Sequence, residues 1–365
     1  MQVQDLALQR DKYKHLSDEE WRWFLQQVEG RERTADKLPT FAADENWWYP
    51  VRLSCEQCSS ELTARYKAQL IAKGQQLMAD ITGGYGVDAY FLSEAFEHTD
   101  YVEQDRELCR IAKHNFADKP ITIYNTTAEE FLQTAGLYDL IFADPARRDS
   151  HGGKVFRLED CTPNVVELLP ELLKHGKRIL LKLSPMLDIT QAVNTLSAVS
   201  WDVHVVAIKN EVKEVLLVSG GNGTITAIDL AESERAFVFT KEEEKECPST
   251  YNQSPITYLY EPNAAILKAG AYKLVAQRYG LQKLDVNTHL YASDTIVPNF
   301  PGRAWQIKEI IHQKSQITNA NVLVRNYPLT PEQLKKKLHL RDGGTAFVIG
   351  CRIAGKPTLF YAERV

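Results

Sequence analysis

From residue 76 onward, short apolar runs alternate with helical patterns, and this constrains the fold more than any other feature of the chain. The runs are Gln76–Ile81, Thr99–Glu103, Ile121–Tyr124, Tyr138–Ala143, Arg178–Leu183 and Val203–Ile208, and Leu216-Leu217-Val218 closes the series. Strands separated by helix-length segments form βαβ units, whose helices cover both faces of a parallel sheet. The last two runs break the rule, because only the charged stretch Lys209–Glu214 lies between them. A parallel crossover needs a dozen or more residues. These two strands are therefore expected to form an antiparallel hairpin at the sheet edge. The expected fold class is α/β, a doubly wound, seven-stranded, mostly parallel Rossmann-like sheet, with an N-terminal helical segment and C-terminal α+β domains.

Outside that core, Ser17-Asp18-Glu19-Glu20 followed by Trp21, Phe24, Leu25 and Val28 reads as a capping box opening an amphipathic helix. A second helical stretch is expected over Ser54–Leu70, with Ser59 or Ser60 as an N-cap and Leu62, Tyr66, Leu70 and Ile71 along one side. Gly220–Gly223 reads as a domain exit, and Lys241–Glu246 as a charged loop or linker. Ala264–Tyr279 is the best helix of the following segment. Pro331–Leu340 is a helix set among the strand-like runs 322–324, 346–349 and 358–360.

The 365 residues exceed one ordinary core, and no apolar run approaches the roughly 20 residues that span a bilayer. The amino-terminal stretch lacks a signal-peptide pattern, so the expected location is cytoplasmic, with no membrane partner. Net charge is −5, which argues against a dedicated nucleic-acid coat. The segment 300–341 is nevertheless basic, with Arg303, Lys308, Lys314, Arg325, Lys335, Lys336, Lys337 and Arg341 against Glu309 and Glu332, and permits a local phosphate-binding face. Cys55 and Cys58 form a lone C-x-x-C with no second pair to complete a four-ligand site, so no metal is expected.

The chemistry concentrates at strand ends. Asp80-Ile81-Thr82-Gly83-Gly84-Tyr85-Gly86-Val87-Asp88 follows the first strand directly. Glycines at a strand-to-helix turn let a ligand approach bare backbone. Glu103 ends the next strand twenty residues after Gly83, where an acidic side chain can accept both hydroxyls of a ribose. Gly84-Tyr85-Gly86-Val87-Asp88-Ala89 also satisfies the dinucleotide pattern G-x-G-x-x-G/A, so the glycines alone leave NAD open. Lys182, in Leu180–Pro185, sits inside an apolar run and needs a partner. Asp144 would lie beside it, and the lysine reads either as half of a structural ion pair or as a substrate contact.

Tyr138-Asp139-Leu140-Ile141-Phe142-Ala143-Asp144-Pro145-Ala146-Arg147-Arg148 resembles the fourth motif of class I S-adenosylmethionine-dependent methyltransferases acting on RNA, which reads D/N-P-P-x. Here Ala146 replaces the second proline and no aromatic residue follows, so the grip on an exocyclic amine used by the N-P-P-Y version is missing. Asp80 at the end of the first strand and the antiparallel finish of the sheet also fit that family better than a dinucleotide fold. Further on, Tyr260-Glu261-Pro262-Asn263-Ala264-Ala265-Ile266, Phe300-Pro301-Gly302-Arg303, Arg325-Asn326-Tyr327-Pro328-Leu329 and Asp342-Gly343-Gly344 look like an uncharacterised bacterial family that joins a methyltransferase domain to a ferredoxin-like segment and a THUMP-like domain. The resemblance implies an N-terminal helical segment over 1–60, a methyltransferase domain over 61–220, linker strands and a ferredoxin-like segment over 221–299, and a THUMP-like domain over 300–365.

It implies S-adenosylmethionine as cofactor, held by Asp80, Thr82, Gly83, Gly84, Gly86, Glu103, Gln104, Ala128, Glu129 and Asp144, with Asn125–Glu129 bordering the adenine. Asp144, Pro145 and Lys182 are the implied catalytic residues. Ser59, Ser60, Glu61 and Lys67, on the helix before the fold, are candidates for a second wall of the pocket. THUMP domains of related enzymes bind RNA, so the implied partner is a structured tRNA or rRNA, with Arg147, Arg148, Arg303 and Arg325 as substrate-binding candidates. The alternatives are a catalytically inactive protein that binds S-adenosylmethionine and RNA, and an NAD-dependent oxidoreductase.

Overall fold

A computed structural model describes Leu6 and residues 10–147, 157–231, 236–252, 255–311 and 317–365. The chain divides into two compact units, residues 1–201 with 216–221 and residues 202–215 with 222–365.

The first unit carries the parallel strands β1 (Gln75–Asp80), β2 (Phe96–Val102), β3 (Ile121–Tyr124), β4 (Leu140–Ala143) and β5 (Ile179–Leu183). Every residue of β4 is buried, as expected of a strand covered on both faces. The next strands are β6 (Trp201–Ile208) and β7 (Glu211–Ser219). They are joined by Lys209 and Asn210, both at positive φ (52° and 64°), the geometry of a two-residue hairpin turn. The hairpin expected from the short connection is thus present.

Its place at the sheet edge is not. β8 (Thr224–Asp229) pairs parallel to β6, with Ile225 opposite Val203, and β9 (Phe237–Thr240) pairs antiparallel to β8. The sheet has nine strands in the order β9-β8-β6-β7-β5-β4-β1-β2-β3 and is mixed, which corrects the seven-stranded expectation. The physical reason lies in Thr224-Ile225-Thr226-Ala227-Ile228-Asp229, where alternate residues are buried, the period of a half-covered strand. Gly220–Gly223 is accordingly a tight connection. Asp202 accepts hydrogen bonds from the amides of Asn222 and Thr224 (3.0 and 2.9 Å).

Lys241–Glu246 is a helix, not a linker. Thr240 and Glu243 form a capping box at its start, and Glu244 accepts the amides of Lys273 and Leu274. The helix expected over 264–279 is two, Ala264–Ala269 and Leu274–Tyr279, divided at Gly270, whose left-handed φ of 87° ends the first.

In the N-terminal part, α1 (Asp18–Thr34) opens with the expected Ser17/Glu20 capping box. The stretch expected over Ser54–Leu70 is two helices, Arg52–Gln57, which ends at the extended Cys58, and α2 (Glu61–Gln69), capped by Ser60. The inward face of α2 is Glu61, Thr63, Ala64, Tyr66 and Lys67, while Leu62 is 53 % exposed. Ionic partners inside the unit, described below, draw Lys67 inward.

The second unit also holds a seven-stranded sheet. Its strands are β10 (Tyr258–Pro262), β11 (Gln282–Lys283), β12 (Tyr291–Ser293), β13 (Gly302–Ile310), β14 (Asn321–Arg325), β15 (Ala346–Ile353) and β16 (Lys356–Arg364), in the order β11-β12-β10-β13-β16-β15-β14. Leu259, Trp305, Ile349 and Phe360 form the core of one face. Helix Pro331–Leu338 covers the other through Leu334, packed with Val348 and Val322. Glu261 of β10 is 1 % exposed and pairs with both Arg303 of β13 and Arg325 of β14. Three strands separate β10 from β14 in the sheet, so the sheet curls to bring these side chains together.

Among the described residues no helix is long and apolar enough to cross a membrane.

Candidate active site

The site grows from the carboxyl end of β1. Beyond Asp80 the chain turns so that the Thr82 amide bonds the Asp80 carboxylate (3.0 Å) and the Gly83 amide bonds Val102 O (2.8 Å). The following helix, α3 (Val87–Leu92), begins behind Gly86, whose φ is 87°. The glycines at 83 and 86 also meet the protein's own rings. A Cβ at Gly83 would stand 2.3 Å from the Tyr101 ring, and one at Gly86 2.5 Å from Phe116. The sequence reading ascribed both to a ligand, but packing beneath the loop demands them independently.

Glu103, just past β2, is tied to this loop. One carboxylate oxygen accepts the Gly84 amide and the other the Asp105 amide, each at 2.8 Å. The Tyr101 hydroxyl donates to Gly84 O at 2.5 Å. The Asn125 amide donates to the carbonyls of Glu103 and Gln104, both at 3.0 Å, which fixes the loop after β3 against the end of β2. Ala128 starts the helix Ala128–Thr134 as a buried methyl, whereas Glu129 and Gln104 are exposed. From the other side the Asp144 amide donates to the Thr82 hydroxyl (2.7 Å), joining the end of β4 to the loop. Asp80, Thr82, Gly83, Gly84, Gly86, Glu103, Gln104 and Asp144 thus converge on one rim of the sheet. Among the described residues, no hydrogen bond ties Glu129 to that group.

The rim is rich in carboxylates. Burial pushes Asp80 up to about 8, and Asp88, Asp144 and Glu103 push the same way against the Thr82 amide. Lys182 donates to Asp144 Oδ2, the partner its sequence position called for. It also stands 3.8 Å from Asp88. Asp88, in the first turn of α3, lies 3.1 Å from the wholly buried Lys67 and accepts the Ser59 hydroxyl at 2.6 Å. Ser59 and Lys67 were expected at the pocket wall, whereas Asp88 carried no expected role although it ends the glycine motif. The signal was an acidic residue in the first turn after a glycine bend, which a helix dipole alone would account for. Ser60 instead caps α2, and Glu61 accepts the amide and hydroxyl of Thr40.

The donor set suits an adenosyl sulfonium. Glu103 is a half-buried carboxylate, its oxygens each using one lone pair on a backbone amide and keeping another for a diol. The loop beside it carries glycines where side chains would otherwise stand.

Relatives decide the assignment. Residues 258–301 match a ferredoxin-like domain model, and residues 302–364 match a THUMP domain-like model. Uncharacterised S-adenosylmethionine-dependent methyltransferases of Mycobacterium tuberculosis strains CDC 1551 and H37Rv are each 24 % identical over 349 residues, spanning 91 % of this chain and 92 % of the relative. The crystal structure of a protein from Porphyromonas gingivalis W83, described as a methyltransferase, superposes with a TM-score of 0.86 at 34 % identity, over 96 % of this chain and 92 % of that one. The chain belongs to this S-adenosylmethionine-dependent methyltransferase family.

In this methyltransferase the remaining candidates lie elsewhere. Arg147 stands on a two-residue strand paired with Cys161–Thr162. Arg148 falls outside the described residues. Arg303 and Arg325 belong to the second unit, where both guanidinium groups engage Glu261. Pro145 follows Asp144 as the half-buried step into that two-residue strand. Cys55 and Cys58 are free thiols, and burial pushes Cys55 up to about 12 and raises Cys58 as well, so neither is poised as a nucleophile. No group of three His, Cys, Asp or Glu among the described residues could hold a metal.

Proposed function

We propose that this methyltransferase modifies a base of a structured RNA, a tRNA or rRNA. The observation that carries this reading is the THUMP domain-like match over 302–364, on the same chain as the methyltransferase fold. The basic segment 300–341 supports it as a phosphate-attracting surface, although Arg303 and Arg325 are already engaged on Glu261.

Each rim residue takes a role from its position. Glu103 receives the two ribose hydroxyls. The backbone of Thr82–Gly86 lies along the adenosyl group, and Gln104 flanks the sugar. Ala128 gives the adenine an apolar border, and Glu129 lies at its outer edge. Asp80 faces the amino-acid end. Asp144-Pro145 separates donor from acceptor, with Lys182 behind. S-adenosylmethionine supplies an electrophilic methyl group for in-line displacement. The protein's task is alignment and exclusion of water more than strong base chemistry.

Nucleoside mass spectrometry of RNA from cells with and without the gene tests the reading. A methylated nucleoside that disappears with the gene and returns on complementation supports it. Identical RNA nucleosides in the two strains would refute it.

A further inference from the structure

Four charged side chains of alternating sign run from the interior of the first unit to its rim. Lys67 is wholly buried and pairs with Asp88 at 3.1 Å. Asp88 also accepts Ser59 Oγ at 2.6 Å and faces Lys182 Nζ at 3.8 Å. Lys182, its side chain 12 % exposed, donates to Asp144, which at 37 % is the first of the four with substantial exposure. Burial alone would raise the Asp88 carboxyl, but the ammonium groups of Lys67 and Lys182 and the Ser59 hydroxyl hold it below its ordinary range. Replacing a buried ion pair by apolar groups of similar volume is often neutral for stability or better. Stability is therefore a weak reason for a wholly buried lysine against the first turn of α3. The order of the charges offers a better one, because each fixes the next and the last stands at the rim.

We propose that Lys67, Asp88 and Ser59 are positioning residues that hold the Lys182 ammonium on Asp144, so that Asp144 presents a fixed carboxylate to an acceptor nitrogen bearing a hydrogen. The inference rests on the donor-site reading given above. It points to an N–H of a planar base as the acceptor class, since a ring nitrogen without hydrogen gives Asp144 nothing to accept and a carbon's hydrogen is too weak a donor for a carboxylate to orient. In the transfer step the nitrogen lone pair forms the N–C bond as the S–C bond breaks, and the electron pair of that bond stays on sulfur. The hydrogen leaves nitrogen as a proton for the Asp144 carboxylate and passes from there to water. Without Asp88, Lys182 keeps Asp144 as its partner but loses the second carboxylate that sets its direction.

The test uses full-length protein and two ligands that need no acceptor, S-adenosylhomocysteine and its analogue sinefungin, which carries a primary amine where the donor carries its methyl. Calorimetry on the native protein is expected to show sinefungin bound about tenfold more tightly, as one charge-assisted hydrogen bond to Asp144 would give. Asp144→Asn and Lys182→Met should abolish that preference, and Lys182→Arg should retain most of it. The paired variant Lys67→Met with Asp88→Asn removes both buried charges together, which avoids stranding one of them. It should bind S-adenosylhomocysteine within about threefold of native while losing most of the sinefungin preference. With RNA from cells lacking the gene as acceptor, the same variant should lower kcat by about tenfold or more with KM unchanged. An unaltered sinefungin preference in the paired variant overturns the proposal, as does its absence from a native protein that binds S-adenosylhomocysteine. A native protein that binds neither ligand overturns the donor-site reading itself, and this proposal with it.

Discussion

The Asp80 carboxyl is 1 % exposed, and the nearby Asp88, Asp144 and Glu103 share its surroundings. A carboxyl raised from 3.8 to about 8 binds its proton more tightly in the folded chain than in the unfolded one. Its contribution is therefore fully favourable below the unfolded value and is lost progressively as pH rises from about 4 to about 8. Asp80→Asn keeps an acceptor for the Thr82 amide and removes the titration. Its Tm relative to native should rise steadily across that interval, with the largest gain at pH 8, and a constant offset in thermal denaturation would contradict the assignment. Backbone amides donate to both oxygens of Glu103. Glu103→Ala should weaken S-adenosylhomocysteine by roughly tenfold to a hundredfold, the worth of one or two charge-assisted hydrogen bonds, and calorimetry reads this directly.

Two elements show how local geometry carries the site. The loop between β1 and α3 has the aromatic rings of Tyr101 and Phe116 directly beneath it. Gly86→Ala must place a Cβ at 2.5 Å from Phe116 with φ at 87°. We expect a stability loss of about 1–3 kcal/mol, seen as a lower urea midpoint at unchanged m-value. In the second unit Glu261 is the shared partner of Arg303 and Arg325, each of them about a third exposed. Glu261→Gln should lower stability by about 1–3 kcal/mol, discounted for the solvent that reaches both guanidinium groups. The effect should shrink at high salt less than a surface pair would, because Glu261 itself is buried.

For the molecule as a whole, the end of the mixed sheet is the part that sequence reading placed least well. The strands β1 to β7 follow from periodicity and connection length, and the hairpin from a linker too short for a crossover. β8 and β9 did not, because the Gly220–Gly223 cluster has the composition of an exit although Asp202 ties it down. A chain ending at Gly221 would leave β6 without its neighbour β8. Exposed strand edges recruit other chains, so this truncation should aggregate where the full chain stays dispersed, as light scattering would record. The carboxylate rim was legible in part. Asp80, Thr82, Glu103, Asp144 and Lys182 sit at strand ends or just beyond, so their positions follow once the strands are placed.

What the sequence determined by itself is whatever a short window encodes. Such windows held the alternation that makes a parallel sheet, the capping box at Ser17, the glycine bend after β1, and the acidic residues at strand ends. Only the tertiary structure decided which charges meet. Ser59 and Lys67 reach Asp88, and Arg325 reaches Glu261 across 64 residues, whereas the Lys182–Asp144 pair was already expected from a lysine inside an apolar run. For Lys67, unlike Lys182 in its apolar run, nothing local distinguishes a lysine that will be buried against such a partner from one on a solvated helix face. The cost of desolvating a charge is repaid only by an opposite charge that folding brings close, so the pairing exists in the folded arrangement and not in any segment of the chain.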